Sequence, residues 1–302
     1  VGEVIVKPNT NIRREYRLEI EHRLALGECY KELVGNQIGD KQVGENIIIS
    51  ANVGSDTEKE EKLLGEYADK EAPTSIGLVR TELFYEFGPP TVEELVEIFL
   101  KLSGKSRGAC KIRLFDRAVD KDPFESDPMY GEDYNLGFLL KNEEGKKILR
   151  TQLRAIILAY LKDKENKGQS GISFFIPMVR TAADVIAVKE ILKDVENALA
   201  LPPSKIRIGA MIETQDAVNN LKEILKEVDY ISVGTNDLIS RESLSFNRGI
   251  TLINEIVRVV NEYNQGLAPQ DFDKQIDISI CGDWATKYEF ILYAYKNFIQ
   301  KG

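Results

Sequence analysis

The chain has 302 residues, 43% apolar and 29% charged, which are the proportions of a packed globular protein and not of a disordered one. Its 40 basic and 49 acidic residues leave a net charge of −9, the wrong sign for a nucleic-acid binder, because a phosphate backbone calls for a basic footprint. No apolar run approaches the roughly 18 residues of a membrane span, and no signal peptide opens the chain. Cys29, Cys110 and Cys281 are too few and too scattered for a disulfide framework and suit a reducing, cytoplasmic setting. The single histidine, His22, rules out a His-rich metal site within this sequence. The chain begins with Val1 and reads as a piece of a longer protein.

Residues 1–40 form a leading segment: a short apolar run at 4–6, a break at Pro8-Asn9-Thr10, then helical spacing over 12–34 ended by Gly35 and Gly39. From 41 onward the rhythm changes. Short apolar runs at 47–49, 76–79, 111–115, 172–176, 206–212, 230–233 and 278–281 alternate with helical patterns at 92–102, 147–161, 182–199, 216–225 and 253–263. Near-continuous apolar strands separated by helices are the mark of parallel strands covered on both faces. Seven of them predict an α/β fold, a (β/α)8 TIM-type barrel lacking its eighth strand in this chain and preceded by a linker helix. A doubly wound open sheet is the second fold compatible with the pattern. The stretch 116–144, rich in Asp, Glu, Pro and Gly, predicts a long loop with one short helix, and 288–298 a last helix.

Barrel enzymes work at the carboxyl ends of their strands. The polar residues there are Asn52, then Arg80-Thr81-Glu82, Arg113 and Asp116, Pro177-Met178, Glu213-Thr214, Asn236-Asp237 and Cys281-Gly282-Asp283. Each has an ordinary structural explanation: a surface ion pair, a helix cap, a small buried thiol. Their convergence on matching strand ends points to a site. Arg80 and Arg113 carry forks that match phosphate or carboxylate. Glu213 and Asp237 are hard oxygen donors of the kind that, with waters and substrate oxygens, hold Mg²⁺. A thiol such as Cys281 can exchange a proton with an enolate.

These residues sit in stretches that resemble a known family. GLVRTELFY (77–85), ILRTQLRAI (148–156), IPM (176–178), MIET (211–214), DYISVGTNDL (229–238) and Cys281-Gly282 follow in order and spacing the C-terminal, phosphoenolpyruvate-binding barrel of enzyme I of the bacterial phosphotransferase system. Pyruvate phosphate dikinase and phosphoenolpyruvate synthase belong to the same family. The resemblance implies a Mg²⁺-dependent phosphotransferase. Glu213 and Asp237 would be the metal ligands, Arg80, Arg113, Asn236 and Arg248 the contacts to phosphoenolpyruvate, and Cys281 the acid–base thiol. The phosphoryl group would pass to a histidine on a separate phosphohistidine domain and on to a downstream phosphocarrier protein. A homodimer is expected by the same analogy, and no membrane insertion. His22 lacks the family's phosphoacceptor surroundings.

The sequence also departs from the family pattern. Leu139 stands where the family has an arginine, Asp116 is followed by Arg117-Ala118-Val119 instead of a glycine pair, and Ser240 and an extra residue precede Arg248. Asp283-Trp284-Ala285-Thr286 replaces the family's residues after Cys281-Gly282. These changes support an alternative, a diverged phosphoenolpyruvate- or anion-binding regulatory module without efficient transfer. A lyase of the wider phosphoenolpyruvate/pyruvate barrel superfamily is a third reading.

Overall fold

The computed structural model describes residues 50–53, 75–85, 88–106, 108–117, 135–241, 246–286 and 290. The chain divides into two compact units, Ile48–Cys281 and a second made of Val1–Ile47 with Gly282–Gly302. The first carries everything that follows. The leading strand and linker helix expected over 1–40, and nearly all of the last helix expected over 288–298, lie outside the described residues.

Seven strands form one parallel sheet: β1 (Ser50–Val53), β2 (Ser75–Arg80), β3 (Cys110–Arg113), β4 (Ile172–Ile176), β5 (Ile208–Ile212), β6 (Tyr230–Gly234) and β7 (Asp277–Cys281). Every strand pairs with its neighbour in sequence, in the order β1 to β7. A doubly wound sheet would reverse its strand order at a switch point. An unbroken sequential order is instead the wall of a (β/α) barrel, here open between β1 and β7 among the described residues. Every residue of β4, β5 and β6 is buried, as their continuous apolar runs require of strands covered on both faces.

The outer layer follows from helical spacing. In α1 (Val92–Lys105), Leu95, Val96, Phe99 and Leu102 form a buried face, and a Thr91/Glu94 capping box closes its start. The expected long loop contains α2 (Leu136–Lys141), and α3 (Glu143–Lys167) begins four residues earlier than the pattern predicts because Asn142 caps it. Helix α3 packs on α1, α2 and α4 (Ala182–Ala198). The single helix expected over 216–225 is two, α5 (Gln215–Asn219) and α6 (Leu221–Leu225). Asn220 divides them, its side-chain amide donating to the Asp216 and Arg180 carbonyls. Helix α7 (Phe246–Gln265) runs longer than its predicted 253–263, with Leu252, Ile253, Ile256, Val259 and Val260 buried. No helix among the described residues is long and apolar enough to cross a membrane.

Inside the wall, Leu78, Phe175, Met211 and Tyr230 form a buried cluster, with Cys281 packed against it. Phe175 and Tyr230 meet edge to face at 4.8 Å, and the Tyr230 hydroxyl donates to the Phe174 carbonyl at 2.8 Å.

Candidate active site

Because all seven strands run the same way, their carboxyl ends share one rim. Register then decides which residues meet. Arg80 pairs with Arg113 across β2 and β3, and Gly234 pairs with Cys281 across β6 and β7.

At the β2–β3 end the charges interlock. Glu82, in the short 3₁₀ turn Thr81–Tyr85, takes the Arg80 Nε at 2.8 Å and the Arg113 Nη2 at 2.5 Å on the same oxygen, Oε1. Arg113 Nη1 reaches Asp116 Oδ2 at 3.4 Å. Arg113 and Asp116 are buried, whereas Arg80 keeps 40% of its side chain in solvent. Burial works against the charge on Arg113, but Glu82, Asp116 and Glu213 outweigh it and hold the guanidinium firmly protonated. A buried chain of hydrogen bonds locks this corner from behind. Gln152 of α3 accepts from the Phe115 N–H at 2.8 Å and donates to Thr81 Oγ1 at 2.9 Å, and Thr81 donates to the Arg113 carbonyl at 2.9 Å.

Glu213 follows β5 and is only 4% exposed. Its Oε2 accepts the backbone N–H of Met178 at 3.0 Å. Met178 is in the left-handed region at φ 51°, a strained choice for a side-chain-bearing residue, and it keeps that N–H turned toward the carboxylate. The rest of the carboxyl group lies on Gly234: a Cβ there would stand 2.5 Å from both Glu213 Cγ and Oε1. Burial raises the Glu213 pKa to about 7; Arg113 pulls it down, and Asp116 and Asp237 push it up.

Asp237 is buried in the π-helical turn Asn236–Arg241 after β6, and the neighbouring Asn236 is exposed. Cys281 ends β7, half-buried. Ser232 donates to its sulfur at 3.4 Å and Thr235 to its carbonyl at 2.8 Å. Burial pushes its thiol up to about 11; the Ser232 bond lowers it, Glu213 raises it, Arg113 lowers it and Asp237 raises it. Near neutral pH this is a thiol, not a thiolate.

One electrostatic group therefore joins Arg80, Arg113, Glu213, Asp237 and Cys281. Arg248 is exposed in the first turn of α7. Two residues that complete the group, Gln152 and Gly234, escape a reading of the sequence for site residues, and two more, Glu82 and Asp116, receive no role from it. Glu82 and Asp116 are visible at strand ends, but their use as counter-ions depends on register. The signal for Gly234 is a glycine closing an otherwise bulky strand.

The donor set fits a Mg²⁺ ion. Glu213 and Asp237 are buried carboxylates, the Asp237 charge pushes the Glu213 pKa up, and the space over Gly234 admits a carboxylate but no Cβ. No cluster of three or more His, Cys, Asp or Glu side chains suited to a metal occurs among the described residues, so substrate and water oxygens would complete the coordination.

Residues 33–296 match the family model described as PEP-utilising enzyme, PEP-binding domain. A phosphoenolpyruvate-protein phosphotransferase of Chlamydia pneumoniae is 34% identical over 280 residues, covering 86% of this chain and 44% of that protein. A phosphoenolpyruvate-dependent phosphotransferase system protein of Escherichia coli K12 is 29% identical over 304 residues, covering 94% and 38%. The chain thus spans less than half the length of these curated relatives. Among solved structures, a citrate lyase from Burkholderia xenovorans aligns with a TM-score of 0.46 at 13% identity, over 84% of this chain and 73% of that one.

Proposed function

The chain belongs to the phosphoenolpyruvate-utilising enzymes, as their phosphoenolpyruvate-binding domain, and from that premise we propose that it is the Mg²⁺-dependent half of a phosphoenolpyruvate–protein phosphotransferase. The observation that carries this reading is the meeting of Glu213, Asp237, Arg113 and Cys281 in one electrostatic group at the carboxyl rim of the barrel.

In this reading Glu213 and Asp237 hold the ion, and Arg80, Arg113, Asn236 and Arg248 hold the substrate. Mg²⁺, when bound, would neutralise charge on the phosphoryl and carboxylate oxygens. Arg80, half in solvent, is positioned to swing between Glu82 and an incoming phosphate. Arg113 is fixed by Glu82 and Asp116, so it acts as a preorganised positive field and not as a grasping arm. The phosphoryl group leaves when the bond from phosphorus to the enol oxygen breaks and a bond forms to a histidine nitrogen on a separate domain. The enolate left behind takes a proton on carbon from the Cys281 thiol, giving pyruvate, and the thiolate recovers its proton from solvent. A thiol pKa near 11 keeps the proton on sulfur until a strong carbon base arrives. The domain's partners would be that histidine domain, a downstream phosphocarrier and a second copy of the chain, in the cytoplasm.

One observation favours the alternative, a regulatory module that binds without efficient transfer. Leu139 is fully buried in α2, in place of an arginine of the family pattern, and brings no charge to the rim. The deciding experiment is calorimetric titration with phosphoenolpyruvate, with and without Mg²⁺, on the chain and on Glu213→Gln. Saturable, Mg²⁺-dependent binding lost in the variant is the expected result. Binding indifferent to Mg²⁺ and to the variant overturns the proposal. Binding without label exchange between pyruvate and phosphoenolpyruvate, when the histidine domain is supplied, selects the regulatory module.

A further inference from the structure

The opposite mouth of the barrel holds a second concavity. A cavity of about 550 Å³ opens at the amino ends of β3 to β6, walled by the loops before β3 and β4. Its size is that of a small-molecule site. Four cations line it, Lys111, Lys167, Lys205 and Arg207, and no acidic side chain among the described residues does, in a chain whose net charge is −9. The loops are held together by glycine: a Cβ on Gly171 would stand 2.2 Å from the Gly108 carbonyl oxygen.

The acids around the cavity use part of that charge. Lys167 is paired with Asp163 at 2.8 Å, and Arg207 with Asp277 at 2.8 Å. Asp229 accepts the Ile208 N–H at 2.7 Å, and its carbonyl takes a further bond from Arg207. Lys111 is different. It projects from the inner face of β3, its ammonium 4.7 Å above the Tyr230 ring and 5.6 Å from that of Phe175, and it makes no ion pair among the described residues. Arg207 lies over the same Tyr230 ring at 5.3 Å. Two cations over one aromatic ring repel each other, and the ring quadrupole offsets only a modest part of that cost and of the lost hydration. Burial depresses the Lys111 pKa, the Asp277 charge offsets part of that, and Arg207 adds to the depression. Lys205 stands exposed at the edge. An anion entering the cavity would meet Lys111, Arg207 and Lys205 in its lining, beside the Tyr230 ring.

We propose that this cavity binds a small multiply charged anion, a phosphorylated or polycarboxylic metabolite, seated on Lys111, Arg207 and Lys205 at the end of the barrel opposite the carboxyl rim. The test is calorimetric titration of the chain with inorganic phosphate and, separately, with citrate. Saturable binding is expected for one or both, weakened roughly tenfold in Lys111→Met and in Arg207→Gln, the loss of one charge-assisted contact. It should be unchanged in Glu213→Gln, which acts at the other rim. Preference for phosphate identifies a phosphorylated ligand, and preference for citrate a carboxylated one. Arg207→Gln lies on the exposed edge and guards against a Lys111 variant that fails to fold. Absence of saturable binding overturns the proposal. So does binding that survives both cavity variants, or that vanishes in Glu213→Gln alone, since the anion would then sit elsewhere.

Discussion

Replacing Gly234 by alanine tests how the rim is built. The new Cβ would lie 2.5 Å from Glu213 Cγ and Oε1 and 2.9 Å from Cδ, while ordinary contact begins at 3.4 Å. The carboxyl arm must therefore retreat by roughly 0.9 Å, and it cannot rotate away freely because the clash includes Cγ, near the base of the side chain. Retreat strains or breaks the bond from the Met178 N–H, a charge-assisted bond of about 1.5–3 kcal/mol, and overpacking elsewhere adds about 1–3 kcal/mol. A net loss of about 2.5–6 kcal/mol should appear as a clear fall in melting temperature. Gly104→Ala, in the last turn of α1 with nothing within 4 Å of its Cβ, is the control and should be neutral or slightly stabilising. The decisive measurement is a double-mutant cycle. In a Glu213→Ala background the clashing atoms are gone, so Gly234→Ala should cost little. An equal cost in both backgrounds would refute the claim that Gly234 exists to seat Glu213.

Three further outcomes follow from the same corner of the molecule. In the metal-free protein the Glu213 pKa is raised from 4.5 to about 7, so its stabilising contribution is present below about 4.5 and is lost as pH rises through about 7. Glu213→Gln should flatten that pH dependence and melt above the parent at alkaline pH, as followed by thermal unfolding across a pH series. Arg113→Met leaves Glu82, Asp116 and Glu213 without their shared buried counter-charge; a loss of about 3–5 kcal/mol is expected in urea titration, smaller at low pH where the carboxylates protonate. Gln152→Leu orphans the buried Phe115 N–H and one bond of Thr81, at about 1–3 kcal/mol for each buried group left unpaired, and the Phe115 amide should lose its protection from hydrogen exchange.

Much of the fold is legible in the linear sequence because parallel barrel strands, buried on both faces, read as uninterrupted apolar runs. Six of the seven runs overlap a strand, displaced by a few residues at its ends, while the run at 47–49 lies outside the described residues, just before β1. The helix boundaries move where a side chain intervenes: Asn142 starts α3 early, and Asn220 cuts one predicted helix in two. In the site, the residues with unusual chemistry for their position stand out, among them Arg113 inside a strand and Glu213 and Asp237 after apolar runs. The residues that position them do not. Gln152 reads as one more polar residue of an amphipathic helix, yet it is fully buried and ties Phe115 to Thr81 across 37 and 71 residues of sequence. Glu82 reads as a surface acid until register brings Arg113 to it.

The two mouths of the barrel carry opposite imbalances of charge, and this decides what each can hold. At the carboxyl rim the buried acids are Asp116, Glu213 and Asp237, with Glu82 close to buried, against the buried guanidinium groups of Arg113 and Arg117. A highly anionic substrate gains little from Arg80 and Arg113 alone, since both are already engaged by carboxylates. It needs an added cation, which is why the proposed Mg²⁺ dependence should be steep and not a modest enhancement. At the amino mouth the excess is positive, so an anion can enter without a metal. Titrating phosphate binding in the presence of a chelator separates the two cases: the amino-mouth cavity should still bind, and the carboxyl rim should lose its affinity for phosphoenolpyruvate. Retention of both, or loss of both, would show that this division of charge does not govern ligand choice.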